Sequence, residues 1–186
     1  MEIIPIFGNQ NNLLTVHYDS EDRDEFSRLF DEWTDIEFLR HFFTENGHDL
    51  SQPFWGGVSL NQAILGTRKQ AIELRKFLKN LSEKQPDERI KKFISLFKPL
   101  DNQQYQFNFL DKKKAYGLQQ KSWLRIYALK IGDDMYLITG GAIKLTARMN
   151  ERNHTKKELG KIDYCKQYLK SEGIIDEDGM VELLEL

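Results

Sequence analysis

The positively charged side chains in the second half of the chain are the residues whose types and spacing could do chemistry. Residues 112–170 carry 14 basic and 5 acidic side chains, whereas the whole chain has a net charge of −2. Residues 17–54 carry 11 acidic and 3 basic side chains, and residues 171–186 carry 6 acidic and none basic. Segregated charge of this kind predicts a basic face on a weakly acidic protein. Solvated helices that differ in sign are the alternative.

A glycine pair stands immediately before the densest positive charge, in the run DMYLITGGAIKLTARMNERNHT at residues 134–155. An antiparallel hairpin that turns at Asp133 would set Arg125 opposite Gly141. The missing side chains of Gly140 and Gly141 would then leave room for a phosphate or a base to approach the sheet. A β-bulge that bends the strand over a helix is the alternative explanation.

Basic groups combined with tyrosine and histidine suit the recognition of a phosphodiester. Cations neutralise phosphate oxygens, and aromatic rings stack on unpaired bases. The same groups suit metal-independent RNA cleavage, in which the 2′-OH attacks, one side chain takes its proton and another protonates the leaving oxygen. The predicted catalytic residues are Arg125, Tyr127, Lys144 and His154. The predicted RNA-binding residues are Lys130, Arg148, Arg152, Lys156 and Lys157.

Other chemistries find little support in the sequence. The chain has no Walker loop, no G-x-G-x-x-G, no H-E-x-x-H and no G-x-S-x-G. The single Cys165 excludes an internal disulfide and falls on an apolar helical stripe, which predicts a buried core residue. The carboxylates of residues 19–26 lack the spacing of a calcium loop. We therefore predict no metal site and no cofactor.

The first half of the chain predicts a hairpin followed by helices. Apolar runs at residues 3–7 and 13–18 flank a glycine- and asparagine-rich turn, which is typical of a β-hairpin. Helical periodicity follows up to Pro99. The predicted helix starts are Ser20, the capping boxes Thr34-x-x-Glu37 and Ser59-x-x-Gln62, and Pro86.

After Pro99 the pattern changes to alternation. Residues 105–110, with Tyr105, Phe107 and Phe109, and residues 123–131 and 135–146 predict an antiparallel meander. A capping box at Thr155-x-x-Glu158 predicts one more helix, and the acidic tail could add a short helix or remain loose. The predicted fold class is α+β, an antiparallel β-meander with an N-terminal hairpin packed against helices. Residues 1–186 are predicted to form one domain, in which residues 59–99 are a helical insertion or lobe.

Residues 124–169, LRIYALKIGDDMYLITGGAIKLTARMNERNHTKKELGKIDYCKQYL, resemble the RelE/ParE-type superfamily of bacterial toxins, especially the phage-related HigB-like branch. The motif positions fall on Arg125, Lys144, Thr146 and residues 154–158. The resemblance implies a RelE-like core with a helical elaboration, cleavage of messenger RNA, often on the ribosome, and silencing by an antitoxin protein. The two strands of this segment also resemble a group of uncharacterised proteins from Bacteroidetes.

These observations lead to two competing expectations. The first is a toxin-type protein that binds RNA and possesses, or has lost, endoribonuclease activity. The second is a non-catalytic module on the same scaffold, in which exposed aromatic groups such as Phe54 and Trp55 bind a protein partner. No apolar stretch approaches the roughly 20 residues of a membrane span, and the N-terminal residues lack a basic leader, so we expect a soluble, cytoplasmic protein.

Overall fold

The computed structural model describes residues 1–8, 11–100, 110–119, 121–174 and 176–185. Within these ranges the chain has an α+β fold, as the sequence predicts, with six strands and seven α-helices. The strands are β1 (Glu2–Pro5), β2 (Leu13–His17), β3 (Lys98–Pro99), β4 (Asp111–Tyr116), β5 (Leu124–Lys130) and β6 (Tyr136–Ile143). The helices are α1 (Glu25–Thr34), α2 (Ile36–Glu45), α3 (Gly47–Leu50), α4 (Leu60–Ser82), α5 (Pro86–Leu96), α6 (Asn153–Ser171) and α7 (Glu177–Leu184).

The strands form one mixed sheet in the order β1-β2-β6-β5-β4-β3. The predicted N-terminal hairpin is confirmed as the antiparallel pair β1 and β2, and β4, β5 and β6 form an antiparallel meander. The hairpin joins the meander through a parallel pairing of β2 with β6, which the sequence analysis did not predict. The strand predicted over Tyr105, Phe107 and Phe109 lies outside the described residues.

Helices cover both faces of the sheet. Alternation along β5 sends Ile126 towards α1 and α4, where it shares a core with Leu29 and Leu74. Leu129 points to the opposite face, which α6 and α7 cover with residues that include Cys165. The segment 59–99 therefore contributes α4 to the same core as α1. Among the described residues, no helix is both long and apolar enough to cross a membrane.

Two of the predicted helix starts agree with the structure. Ser59 caps α4, and its backbone N–H donates to Gln62 Oε1 at 2.9 Å, which completes the capping box. Pro86 is the first residue of α5, where its fixed φ and missing N–H suit the first turn.

The other two capping boxes are wrong. Asp35 caps α2, since its carboxylate accepts from the Phe38 N–H at 2.7 Å, while the Thr34 hydroxyl donates back to the Phe30 carbonyl. Helix α6 begins at Asn153, so Thr155 lies inside its first turn, where its hydroxyl donates to the carbonyls of Met149 and Arg152. In both places a nearby residue takes the cap position and the threonine bonds to its own preceding turn.

A β-bulge shifts the register between β5 and β6. Ala128 faces Ile138, as a turn at Asp133 predicts, but Tyr127 faces Gly140. Thr139 is the extra residue, so Arg125 lies opposite Ala142 and the predicted pairing with Gly141 is wrong by one position.

Protein side chains fill the space beside the glycine pair. A Cβ on Gly140 would lie 2.0 Å from Glu158 Oε2 and 3.2 Å from Glu25 Oε2. A Cβ on Gly141 would lie 2.6 Å from the Arg125 carbonyl oxygen and 2.7 Å from Leu29 Cδ1. The glycines therefore let α1 and α6 approach a bulged strand, and the room predicted for a phosphate or base is occupied.

Candidate functional site: a basic cleft

A cleft of about 1460 Å³ lies on the face of the sheet that α6 partly covers. Its floor is formed by side chains of β4 and β5, including Arg125 and Tyr127. Leu159 and Asp163 of α6 line one side. Residues 144–152, which lead from β6 into α6, also line the cleft, as do Leu100 and side chains of the segment 49–55. Several parts of the chain that are distant in sequence therefore meet at this site.

The described lining of the cleft has an excess of positive charge. Two of its three carboxylates are already paired, because Asp49 accepts from Arg152 Nε at 2.7 Å and Asp163 pairs with Lys112. The remaining carboxylate is Glu151, which accepts a backbone N–H. The basic side chains that line the cleft are Lys112, Lys114, Arg125, Lys144, Arg148, Arg152 and Lys166.

Arg125 is a half-buried cation on the floor of the cleft. Its Nη1 donates to the carbonyls of Ser122 and Leu124, at 2.7 and 2.8 Å, and its Cζ lies 3.9 Å from the centre of the Tyr116 ring. Within the described part of the chain, no carboxylate forms an ion pair with it. Burial lowers the pKa of Arg125. The guanidinium is therefore fixed in place without a neutralising anion among the described residues.

Lys144 follows the end of β6 and is the second partly buried cation that lines the cleft. Its Nζ donates to the carbonyls of Thr146 and Ala147, at 2.7 and 2.6 Å, and thereby folds the following loop around itself. Burial lowers the pKa of Lys144, and the nearby charge of Arg125 lowers it further. A bound anion close to both cations would relieve this repulsion.

Tyr127 has a buried hydroxyl group at the floor of the cleft. The residue is 1% exposed and lines the cleft, and its hydroxyl has no hydrogen-bond partner among the described residues. Burial raises the pKa of Tyr127, so the phenol stays neutral at physiological pH. A buried hydroxyl without a hydrogen-bond partner among the described residues costs stability.

We predict that Tyr127→Phe raises the free energy of unfolding by about 1 kcal/mol, because it removes a buried hydroxyl that has no hydrogen-bond partner in the described part of the chain. Denaturant unfolding would measure the change. Tyr18→Phe is the matched control, since the Tyr18 hydroxyl donates to the Thr139 carbonyl at 2.9 Å, and its removal should cost about 1 kcal/mol. A destabilised Tyr127→Phe would show that its hydroxyl is bonded in the folded protein.

Five of the nine residues predicted for the site line the cleft: Arg125, Tyr127, Lys144, Arg148 and Arg152. Arg148 is exposed, whereas the guanidinium of Arg152 is held by Asp49. That ion pair ties α3 to the start of α6, so it shapes the wall of the cleft.

The other four predicted residues lie elsewhere. The Lys130 Nζ donates to Asp133 at 2.8 Å, at the far end of β5. His154 Nε2 lies 3.0 Å from the Ile143 carbonyl, and its ring packs edge-on against Phe42 at 5.2 Å, so its packing turns it away from the cleft. Lys156 and Lys157 are exposed on the first turns of α6 and do not line the cleft.

The sequence analysis missed Lys114 and Tyr116, which lie beside the predicted residues. Antiparallel pairing sets Lys114 opposite Tyr127 and Tyr116 opposite Arg125. The available signal was the alternation within DKKKAY, which puts both residues on one face of a strand. Using this signal would have required predicting a strand over residues 111–116, in addition to the strand predicted over residues 105–110.

Phe54 and Trp55, predicted as exposed aromatic groups, differ in the structure. Phe54 is 64% exposed at the cleft. Trp55 is only 7% exposed, because its indole N–H donates to the Leu145 carbonyl at 3.0 Å and its ring packs against Trp123. The prediction of exposure is therefore wrong for Trp55.

A second group of charges is buried between α1, α6 and the glycine pair. Glu25 is fully buried and bonds Lys161 at 2.6 Å and Arg28 at 2.7 Å. Glu158 lies 3.7 Å from Lys161, and its Oε2 has no hydrogen-bond partner among the described residues. Burial raises the pKa of Glu158 to about 7, and the charge of Glu25 adds to the effect while Lys161 opposes it. This cluster joins the acidic helix α1 to the basic helix α6.

Cys165 has the buried position that the sequence predicts. It is fully buried, and its Sγ lies 3.1 Å from the Tyr18 hydroxyl oxygen. Burial raises the pKa of the Cys165 thiol to about 11. A thiol that stays protonated at neutral pH is a poor nucleophile. Among the described residues, no cluster of histidine, cysteine and carboxylate side chains is arranged to hold a metal ion.

Comparisons with protein-family models, with curated proteins and with solved structures found no match for this chain. The resemblance of residues 124–169 to RelE/ParE-type toxins therefore stays a prediction.

Proposed function

We propose that this protein binds single-stranded RNA and that the cleft holds the phosphodiester backbone. The observation that carries the proposal is the pair formed by Arg125 and Lys144. Both are partly buried, burial lowers the pKa of each, and neither is in an ion pair with a carboxylate of the described residues. Buried cations are normally paired, so an unpaired couple in an open cleft favours an anionic ligand.

The size of the cleft and the spread of its positive charge favour a chain of phosphates over a single small anion. The cleft volume of about 1460 Å³ exceeds the roughly 300–1,000 Å³ that is usual for small-molecule pockets. Arg148 and Lys166 extend the positive lining beyond Arg125 and Lys144. A polyanion that spans several cations gains affinity by releasing counterions. The resemblance to RNA-cleaving toxins favours RNA over DNA.

Three basic residues of the cleft have a role in this proposal. Arg125 and Lys144 hold one phosphate. Arg148, exposed in the loop before α6, meets a neighbouring phosphate. Cleavage of the bound RNA and inhibition by an antitoxin stay predictions, and His154 is not available to the cleft in the described arrangement.

We expect Lys144→Gln and Arg148→Gln each to weaken RNA binding about five- to tenfold, because each removes one cation that meets a phosphate. Fluorescence anisotropy with a labelled, unstructured RNA at fixed salt would measure the affinity. Lys76→Gln is the matched control, since it makes the same charge change at an exposed position on α4, on the other side of the sheet.

Equal affinities for the three variants and the wild type would place the RNA outside the cleft and contradict the proposal. A wild-type protein that binds no RNA would also contradict it, and would leave the protein-interaction module as the remaining expectation. Thermal unfolding of each variant separates lost contacts from lost structure, because the Lys144 ammonium also orders the loop at residues 146–147.

A further inference from the structure

We infer that Phe54 and Tyr116 form a stacking surface for unpaired nucleobases, so that the cleft reads bases as well as phosphates. This inference rests on the proposed RNA binding. Both side chains line the cleft, and both are exposed, Phe54 by 64% and Tyr116 by 40%. Exposed aromatic rings beside cations are typical of sites that bind single-stranded nucleic acid.

Each ring has a cation on one face. The Arg125 Cζ lies 3.9 Å from the centre of the Tyr116 ring, and the Lys121 Nζ lies 5.4 Å from the centre of the Phe54 ring. A cation on one face leaves the other face for a planar partner. The Phe54 ring also contacts the Trp55 ring, with centroids 4.7 Å apart and an interplanar angle of 81°. Because both side chains still remain substantially exposed, a base can stack on the exposed part of each ring.

The turn that carries Phe54 is held firmly in place. Pro53–Trp55 form one turn of 3-10 helix that ends at Gly56, whose φ of +72° is a left-handed conformation that suits glycine. The neighbouring Trp55 anchors the turn through its bond to the Leu145 carbonyl, and Lys121 donates to the Phe54 carbonyl at 3.3 Å. Phe54 is thus presented to solvent without the entropy cost of ordering a loose loop on binding.

Arg125 connects the stacking surface with the phosphate site. Its guanidinium stacks on Tyr116 and lowers the pKa of Lys144, so it is close to both groups. A base on Tyr116 and a phosphate at Arg125 and Lys144 would therefore belong to one nucleotide or to adjacent ones. The ligand class that satisfies both requirements is a single strand with accessible bases, because the bases of a duplex are stacked on one another.

The test compares oligouridine with an abasic ribose-phosphate oligomer of the same length. We expect the wild type to bind oligouridine about tenfold more tightly, since stacking on an aromatic side chain contributes on this scale. Phe54→Ala should lose most of this preference, and Phe54→Trp should keep it. Tyr164→Ala is the control, because Tyr164 is 53% exposed on α6 and does not line the cleft.

Equal binding of the two oligomers by the wild type, or an unchanged preference in Phe54→Ala, would overturn the stacking surface. If Lys144→Gln still weakened RNA binding in that case, the proposed phosphate site would stand without the stacking surface. The exposed Phe54 ring would then be available to bind a protein partner. Failure of the wild type to bind either oligomer would overturn both proposals. Phe54 is largely exposed and contacts the core through Trp55, so the Phe54→Ala variant should fold, which thermal unfolding verifies.

Discussion

Gly141→Ala is expected to lower the free energy of unfolding by about 3 kcal/mol, because the strand has no room for a methyl group. The new Cβ would lie 2.6 Å from the Arg125 carbonyl oxygen, which is backbone of the neighbouring strand. It would also lie 2.7 Å from Cδ1 of Leu29, a fully buried residue of α1. Neither neighbour can move without separating β5 from β6 or lifting α1 from the sheet.

Gly160→Ala is the matched control for this substitution. Gly160 lies within α6, and a Cβ there would meet no atom of the described residues within 4 Å. Alanine at such an exposed helical position should raise stability by about 0.5–1 kcal/mol. Chemical denaturation of both variants gives the comparison. A Gly141→Ala protein as stable as the wild type would contradict the close approach of α1 to the bulged strand.

Glu158→Gln is expected to remove a large pH dependence of stability. The folded-state pKa of about 7 lies above the ordinary value of 4.5, so the folded protein favours the protonated carboxyl. The favourable contribution of Glu158 to the free energy of unfolding is fully present below pH 4.5 and is lost as the pH rises through 7. The loss amounts to about 3 kcal/mol, since one pKa unit corresponds to about 1.4 kcal/mol.

The pKa of Glu158 is set by its burial and by the charged groups that face it. Burial has the largest effect, Glu25 on α1 adds repulsion, and Lys161 on α6 and Arg28 on α1 oppose it. The Gly141 N–H also favours the charged form. The uncharged amide of glutamine preserves shape, so we expect Glu158→Gln to be more stable than the wild type at pH 8 and similar to it at pH 5. Unfolding measured from pH 5 to 8 checks this, and a wild-type curve as flat as that of the variant would contradict the account.

Local patterns predicted much of the fold. The hairpin and two of the helix starts depend on turn residues, periodicity and caps that lie within a few positions of one another. Ser59 with Gln62 formed its capping box because both members belong to one helical turn. The parallel pairing of β2 with β6 could not be predicted in this way, since it joins strands more than a hundred residues apart.

The bulge at Thr139 shows why the site was only partly predicted. Strand parity placed Arg125 and Tyr127 on one face correctly, but the extra residue moved Gly141 out of register with Arg125. The space left by the glycines was then filled by Glu158 and Leu29, which come from two helices. Such contacts depend on tertiary packing, and the pattern within residues 134–155 does not contain them.

His154 illustrates the same limit for a single side chain. Its type and its place in a basic loop favoured a catalytic role, yet its ring direction is set by Phe42 on a distant helix. Tyr116, in contrast, gained importance through its partner in the next strand, Arg125. The residue types predicted a basic, aromatic cleft, whereas tertiary packing determines which of these residues line it.

The salt dependence of RNA affinity tests the central claim most directly. If Arg125, Lys144 and Arg148 each meet a phosphate, the logarithm of the association constant should fall against the logarithm of salt concentration with a slope of about −2. The Lys144→Gln, Arg148→Gln double variant should show a slope of about −0.7, because one of the three contacts remains. A wild-type slope near zero, or the same slope in both proteins, would contradict phosphate binding in the cleft.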